Sequence, residues 1–283
     1  MNPPRCPLLY SPPQRVYVRL LPLALALLLG GCGERNTTGT AEQTSPPSAP
    51  VEASPLSDVI ETTPTHVIGI SYDARIVPTP ALSSALRGFA DQSRADLMQA
   101  LSDLGNDAPR VPYDLSLNFE QTVDARALKA ISADGSLYTG GAHGQPLLAR
   151  FVWLVDEDRQ LTMDELIPGE AGRRFIADHV EKQLLAQLES RLNDDHIPPE
   201  IQKDVLGNAR SMIADGTEPV SENFREYQPL IDAQGRITAI RFVFPPYQVG
   251  PYSDGIQTAD VATEVLLPHI NPRHAALFAA PTR

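Results

Sequence analysis

Cysteine is scarce in this chain of 283 residues: the two present are Cys6 and Cys32. The segment after Cys32 therefore has no thiol for a disulfide bond, a catalytic nucleophile or a thiolate metal site. A fold without such links must be stabilised by its hydrophobic core. Since 42% of the residues are hydrophobic, the sequence predicts one sizeable domain or two small ones.

The sequence also lacks the short motifs of common active sites. It contains no His-Glu-x-x-His, Gly-x-Ser-x-Gly, Ser-x-x-Lys, P-loop or dinucleotide-binding fingerprint. The acidic clusters at residues 156–158 and 194–195 lack the ligand spacing of a calcium loop and are interpreted as solvated turns. We therefore expect no enzyme activity, no metal and no cofactor.

Positive charge is in short supply, with 23 Lys and Arg against 35 Asp and Glu. Removal of residues 1–31 would take away Arg5, Arg15 and Arg19 and no acid, leaving 20 basic and 35 acidic residues and a formal charge of −15. Such a charge excludes a nucleic-acid partner and disfavours docking to anionic lipid. It would attract a basic partner, although it can also serve solubility alone.

An apolar run at residues 20–29 follows the three arginines, which predicts a signal peptide over residues 1–31. The run of about ten residues is too short to span a membrane. Residues 29–32 read Leu-Gly-Gly-Cys, which resembles the lipobox of bacterial lipoproteins. This resemblance implies that the Cys32 thiol is diacylated, with palmitate as an expected acyl group, and becomes the mature N-terminus. Since residue 33 is Gly and not Asp, we expect an outer-membrane anchor facing the periplasm.

The chain after Cys32 divides into a linker, a folded part and a tail. Residues 32–65 are rich in Thr, Ser, Pro, Ala and Glu and predict a flexible linker. Hydrophobic periodicity then predicts an α+β fold of mostly antiparallel sheets with helices packed on one side over residues 66–270. Residues 271–283 are predicted to be a loose tail. The predicted strands are 67–72, 113–120, 123–132, 147–155, 224–231 and 236–244; apolar and polar residues alternate in 113–120, and the loop 232–235 between the last two strands predicts a β-hairpin. The predicted helices are 82–104, 170–193 and 199–214, the first two from leucines at helical spacing.

Two segments carry the densest local signals. Residues 138–144 read Tyr-Thr-Gly-Gly-Ala-His-Gly, and the glycines place His143 in a tight loop. Residues 245–255 combine Pro, Tyr and Gly directly after a strong strand, and tyrosines offer contact area typical of interfaces. For the first segment the absence of a paired nucleophile or acid at recognisable spacing favours a structural corner, whereas the second can equally be a packed crossover. The candidate binding residues are Tyr138, Gly140, Gly141, His143, Tyr247, Tyr252 and Asp254.

The order of these motifs resembles the RsiV-like family of extracytoplasmic domains. The likeness covers residues 67–270 and is most specific at residues 138–144 and 247–255. In that family an N-terminal part similar to the accessory domain of the peptidoglycan deacetylase PdaC precedes a C-terminal domain of formerly unknown function. The resemblance therefore implies two closely associated subdomains, over residues 66–145 and 146–270. The resemblance implies an exterior region that binds lysozyme. This chain differs by a lipid anchor in place of a signalling helix, and it lacks the deacetylase domain.

The sequence is compatible with three functions. The first is a membrane-anchored lipoprotein that binds a cationic lysozyme-like protein or peptidoglycan, with the bilayer contacted through acylated Cys32. The second is a structural envelope lipoprotein without a discrete ligand. The third is a cell-wall hydrolase in which His143 acts as base beside Asp254 or Asp134.

Overall fold

The computed structural model describes residues 55–280. The predicted signal peptide, Cys32 and most of the predicted linker lie outside the described residues. Within residues 55–280, no helix combines the length and the apolar character needed to cross a membrane. The described part contains one six-stranded sheet, one three-stranded sheet and helices packed against both, which confirms the predicted α+β class with two sheet bodies.

The larger sheet is antiparallel except for one parallel pair, β2 with β3. Its strands lie side by side in the order of the sequence. The parallel pair requires a crossover, and the helix α1 supplies it. The strands are β1 (Val59–Thr62), β2 (His66–Tyr72), β3 (Tyr113–Asp124), β4 (Leu128–Tyr138), β5 (Gln145–Leu154) and β6 (Arg159–Gln160), and α1 is Pro80–Asp103.

Helix α1 begins where the sequence supplies a cap. The Thr79 side chain accepts a hydrogen bond from the Leu82 N–H, and Pro80 occupies the first helical position, where no N–H is needed. Leu82, Leu86 and Leu97 are buried and pack on the face of the sheet to which β3 contributes Leu115, Leu117 and Phe119. The even-numbered residues of β3 are exposed or half-buried, as the predicted alternation requires.

The second sheet and the remaining helices form the C-terminal half. Antiparallel strands β7 and β8 form the predicted hairpin, and β9 pairs with the other edge of β8. Helix α3 packs against β9 and α4 packs against α3. The elements are α2 (Met163–Leu166), α3 (Glu170–Asp194), α4 (Pro199–Gly216), β7 (Tyr227–Ile231), β8 (Ile237–Phe244), β9 (Gln257–Ala262) and α5 (Thr263–Leu266), with 3-10 turns at Ser221–Phe224, Tyr252–Asp254, Leu267–His269 and Pro272–Leu277.

Strand β5 belongs to both hydrophobic cores. Phe151 and Trp153 face the core that contains α1, whereas Val152 and Leu154 face the core of the C-terminal half. A strand segment buried on both faces reads as a continuous apolar run, which is the pattern of residues 151–155 after Arg150. The predicted subdomain boundary between residues 145 and 146 therefore falls at the start of a strand that pairs with β4 along its whole length.

Three segments differ from the sequence-based expectation. The predicted strand 123–132 contains a chain reversal, since the Ala125 N–H donates to Leu128 O and the Leu128 N–H to Ala125 O. The sheet begins at Val59, inside the predicted linker, because β1 pairs with β2. The predicted loose tail also packs on the domain: Phe278 is 2% exposed and forms a bridge with Ile237.

A charged network holds the C-terminal segment in place. Arg159 donates two hydrogen bonds to Glu165, and His274, which is 3% exposed, has its Nε2 atom 3.0 Å from Glu165 Oε1. The hydrogen bonds from Arg159 and then His274 lower the pKa of Glu165 to about 2 despite partial burial. Glu157, expected in a solvated turn, accepts hydrogen bonds from Arg159 and Arg273.

We expect Glu165→Gln to destabilise the domain by about 2 kcal/mol at neutral pH, because a partly buried charged acceptor is lost. The folded-state pKa of Glu165 lies below its ordinary value of 4.5, so its contribution is complete above pH 4.5 and declines as the pH falls towards 2. Urea unfolding at pH 7 and pH 3 measures both effects. The two proteins should differ less at pH 3, and an equal or larger difference there would contradict the assignment.

Candidate functional site

Two loops distant in sequence meet at one end of the sheets. The first loop, residues 138–144, follows β4, and the second loop, residues 245–255, follows β8. His143 Nε2 of the first loop lies 3.0 Å from Tyr247 Oη of the second. The structure thus brings together the two segments that carried the strongest signals in the sequence.

Three rings form the contact, and we call His143, Tyr247 and Tyr252 the aromatic cluster. His143 stacks on Tyr252 with ring centroids 3.9 Å apart and an angle of 18° between the planes. The Tyr247 and Tyr252 centroids are 5.7 Å apart. Tyr252 is half-buried, while His143 and Tyr247 are exposed, Tyr247 at 55%. The cluster therefore joins the loops and still presents aromatic surface to solvent.

Hydrogen bonds indicate which ring nitrogen of His143 carries the proton. His143 Nδ1 lies 3.1 Å from Gly144 O, and since a carbonyl oxygen only accepts, Nδ1 carries a proton. In neutral His143, Nε2 then accepts from the Tyr247 hydroxyl. Tyr252 Oη donates to the same Gly144 carbonyl at 3.2 Å. Both ring nitrogens of His143 thus have partners within the two loops.

The backbone of both loops requires unusual conformations. Gly140 and Gly141 have φ angles of 96° and 100°, which glycine adopts readily. Tyr247 has φ of 74° without being glycine, at a cost of about 1–3 kcal/mol. Neighbouring bonds hold it there: its N–H donates to Gly250 O at 2.9 Å, and the Gln248 side chain donates to Gly216 O and Asn223 O at 2.9 Å each.

Grooves lie on both sides of the first loop, and Gly140 lines both. A groove of about 470 Å³ separates the first loop from the start of the second, with Pro146, Pro245 and Tyr247 among its walls. Another, of about 600 Å³, lies between the first loop and the segment before β3, with Val111, Tyr113 and Tyr138 among its walls. Volumes of this size accommodate ligands rather than single water molecules.

The structure pairs each of the proposed acids with an arginine. Asp254 Oδ2 lies 3.7 Å from Arg191 Nη2 on α3, and Asp134 Oδ1 accepts from Arg150 Nη2 at 2.8 Å. Neither carboxylate has a hydrogen bond to His143 among the contacts of residues 55–280. Within the same residues, no group of three or more His, Cys, Asp or Glu side chains is arranged to hold a metal ion.

Sequence reasoning missed one partly buried polar junction between β5 and the segment before β7. The Glu226 carboxylate accepts the Arg150 backbone N–H at 2.7 Å and pairs with Arg225 at 3.1 Å. Burial raises the pKa of Glu226, and the charges of Arg225 and Arg150 oppose that shift. This junction joins β5 to the residue before β7. No sequence pattern marks it, because its partners lie 76 positions apart.

Comparisons with known proteins support the fold. No family model matches the chain, and no curated protein does. A DUF3298 family protein from Pseudomonas aeruginosa PAO1 is similar in structure, with a TM-score of 0.53, 14% identity, and coverage of 80% of this chain and 94% of that one. A DUF3298 family member from Bacteroides fragilis NCTC 9343 has a TM-score of 0.48 and 16% identity over 77% and 93% of the two chains.

The Pseudomonas protein shows that this chain has the fold of a DUF3298 family protein, a family named for a domain of unknown function. At 14% identity the likeness concerns the fold alone. It agrees at this coarse level with the expected RsiV-like architecture, and the function has to be argued from the site.

Gly141→Ala tests the backbone requirement of the first loop. No atom lies within 4 Å of the added Cβ, so the expected loss of about 1–2 kcal/mol comes from the positive φ alone. The matched control is Gly88→Ala on the exposed face of α1, where open space also surrounds the added Cβ and a gain of about 0.5–1 kcal/mol is expected. Urea unfolding measures both, and Gly141→Ala as stable as the parent would contradict the geometry.

Proposed function

We propose that this chain is a lipid-anchored extracytoplasmic binding protein with an RsiV-like domain. Its anchor is acylated Cys32, and its ligand is a lysozyme-like protein or a cell-wall component. The binding face comprises the first loop, the aromatic cluster and the flanking grooves. The proposal places the protein at the outer membrane, facing the periplasm.

The observation that carries the proposal is the convergence of the two loops. Tyr247, at 55% exposure, is held in a strained backbone conformation by hydrogen bonds. An exposed tyrosine fixed in this manner offers a large contact area at little further cost in conformational entropy. Rigid aromatic side chains beside grooves are typical of binding surfaces.

Charge supports a cationic partner. The chain after residue 31 has a formal charge of −15, which would speed the encounter with a basic protein such as lysozyme. This attraction acts over roughly 10 Å at 0.1 M salt and is weakened at higher ionic strength. Binding to an uncharged cell-wall glycan would show much less dependence on salt.

The hydrolase alternative receives less support from the geometry. A general base needs a free lone pair, and in neutral His143 that of Nε2 is occupied by the Tyr247 hydroxyl. The two carboxylates considered as partners are instead paired with Arg191 and Arg150. A structural role without a ligand remains the second choice, since the aromatic cluster also ties the two loops together.

Tyr247→Ala should weaken ligand binding by about tenfold or more, because it removes an exposed ring of the cluster. The measurement is titration calorimetry at moderate salt, with hen lysozyme and separately with soluble peptidoglycan fragments, on the chain from residue 32 with Cys32→Ser. Ile60→Ala removes an exposed apolar side chain on β1, outside both loops, and should leave the affinity unchanged.

The calorimetric outcomes separate the versions of the proposal. No heat with lysozyme and none with peptidoglycan would reject the binding function. If only lysozyme or only peptidoglycan gives a heat of binding, that result identifies the ligand class. Equal losses for Tyr247→Ala and Ile60→Ala would place the contact surface elsewhere.

Cys32→Ser should abolish membrane attachment of the chain. The thiol is the acylation site, and two acyl chains give stable anchoring where one does not. We expect the parent to incorporate labelled palmitate and to fractionate with the outer membrane, and the variant to do neither. Cys6→Ser is the matched control, because the proposed cleavage removes Cys6. Labelling that persists in Cys32→Ser would refute the anchor.

A further inference from the structure

A separate groove lies between α3 and α4, and we call it the interhelical groove. Its volume is about 650 Å³, and the second loop closes one end of it with Pro251, Ser253 and Asp254. The helices line the rest of the groove with Leu188, Arg191, Leu192, Asp195, Val205, Asn208, Ala209 and Met212. None of the three aromatic cluster residues lines it.

The groove exists because α4 is only partly packed. Among the residues of α4, the buried ones are Ile213 and Gly216, both near its end. At Gly216 the helix approaches the second loop so closely that an added Cβ would lie 2.0 Å from Gln248 O. Val205, Ala209 and Met212 follow helical spacing on one face and remain half-buried towards the groove.

The apolar walls predict an apolar ligand body. Leu188 and Leu192 of α3 face the same space as Val205, Ala209 and Met212 of α4. Half-buried aliphatic side chains around a concave volume gain from the removal of their remaining surface from water. A volume of about 650 Å³ lies within the range of small-molecule sites.

The charged residues of the groove indicate the charge of the ligand's polar end. Arg191 is already engaged, with Nη1 3.0 Å from Gln257 Oε1 and Nη2 3.7 Å from Asp254 Oδ2. Asp195 is exposed, and its carboxylate has no hydrogen bond or ion pair among the contacts of residues 55–280. It caps the C-terminal end of α3, where the helix carbonyls add negative potential. A cation is therefore favoured at this end.

We propose that the interhelical groove binds a small cationic amphiphile. The alkyl part lies against the aliphatic side chains of α3 and α4, and the positive group lies at Asp195. This site is independent of the aromatic cluster and does not rest on the function proposed above. An anionic amphiphile of the same length would meet Asp195 and Asp254, and Arg191, the cation that lines the groove, is already engaged by Asp254 and Gln257.

The test uses the full chain carrying Cys32→Ser, without detergent. Decyltrimethylammonium, below its micellar concentration, is titrated by calorimetry and compared with decanoate, which has the opposite charge. The apolar segment at residues 20–29 is common to all variants, so differences between variants report on the groove. We expect saturable binding of decyltrimethylammonium and weaker binding of decanoate.

Two variants examine the two halves of the site. Asp195→Asn should weaken decyltrimethylammonium binding by about threefold, the effect of a solvent-exposed ion pair. Asp194→Asn, which changes the neighbouring acid outside the groove, is the matched control and should have no effect. Ala209→Phe fills the groove and should weaken binding by about tenfold or more, while Ile60→Ala on β1, outside the groove and both loops, should leave it unchanged.

Several results would overturn the proposal. If decanoate binds as tightly as decyltrimethylammonium, or if Asp195→Asn and Asp194→Asn weaken binding equally, Asp195 does not bind the positive group of the ligand. If Ala209→Phe binds decyltrimethylammonium as tightly as the parent, and circular dichroism shows the same helix content, the ligand does not occupy the interhelical groove. If a cationic amphipathic peptide binds and is lost in Ala209→Phe, while decyltrimethylammonium does not bind, the groove is a peptide site and not the one proposed.

Discussion

The burial of β5 on both faces is the constraint on which the structure depends. Phe151 and Trp153 complete the core under α1, and Val152 and Leu154 complete the core of the C-terminal half. The pleat sends alternate side chains to opposite faces, so a shift of one residue in the pairing of β5 would exchange these two sets. This strand therefore fixes where both halves pack and prevents them from being independent of each other.

The site follows from this constraint because each loop continues a buried strand. The first loop enters β5, and the second leaves β8, whose Phe242 and Phe244 are buried in the C-terminal core. Both ends of the contact between His143 and Tyr247 are thus attached to rigid backbone. Rigid elements allow a few exposed rings to act as a preformed surface, which is the basis of the binding function we propose.

The same loop also links the two proposed binding regions. Tyr252 stacks on His143, while its neighbours Pro251 and Ser253 form a wall of the interhelical groove. The aromatic cluster offers flat polarisable surface, whereas the groove offers aliphatic walls and an unpaired acid. Their different chemistry suits two different ligands. An acidic protein surface is common to both, and it favours cationic partners.

Local patterns in the sequence were sufficient for most elements of the fold. Helical spacing of leucines predicted α1 and α3, alternation predicted β3, and the loop before Arg236 predicted the hairpin of β7 and β8. Weak local signals failed where pairing partners decide the structure. The edge strand β1 has only four residues and forms because β2 offers a free edge, and Phe278 is buried because it bridges to Ile237 and packs in the core of the C-terminal half.

The sequence by itself determined the absence of thiols after Cys32, the acidity and the two loop motifs, and it carries the pattern on which the proposed lipid anchor rests, because each is a property of neighbouring residues or of composition. Only the tertiary structure decided that His143 meets a tyrosine 104 positions away and not a carboxylate, and that α3 and α4 leave a groove. Contacts of that kind depend on the order of strands in the sheets and on how far helices can approach, and neither is encoded at a fixed spacing along the chain.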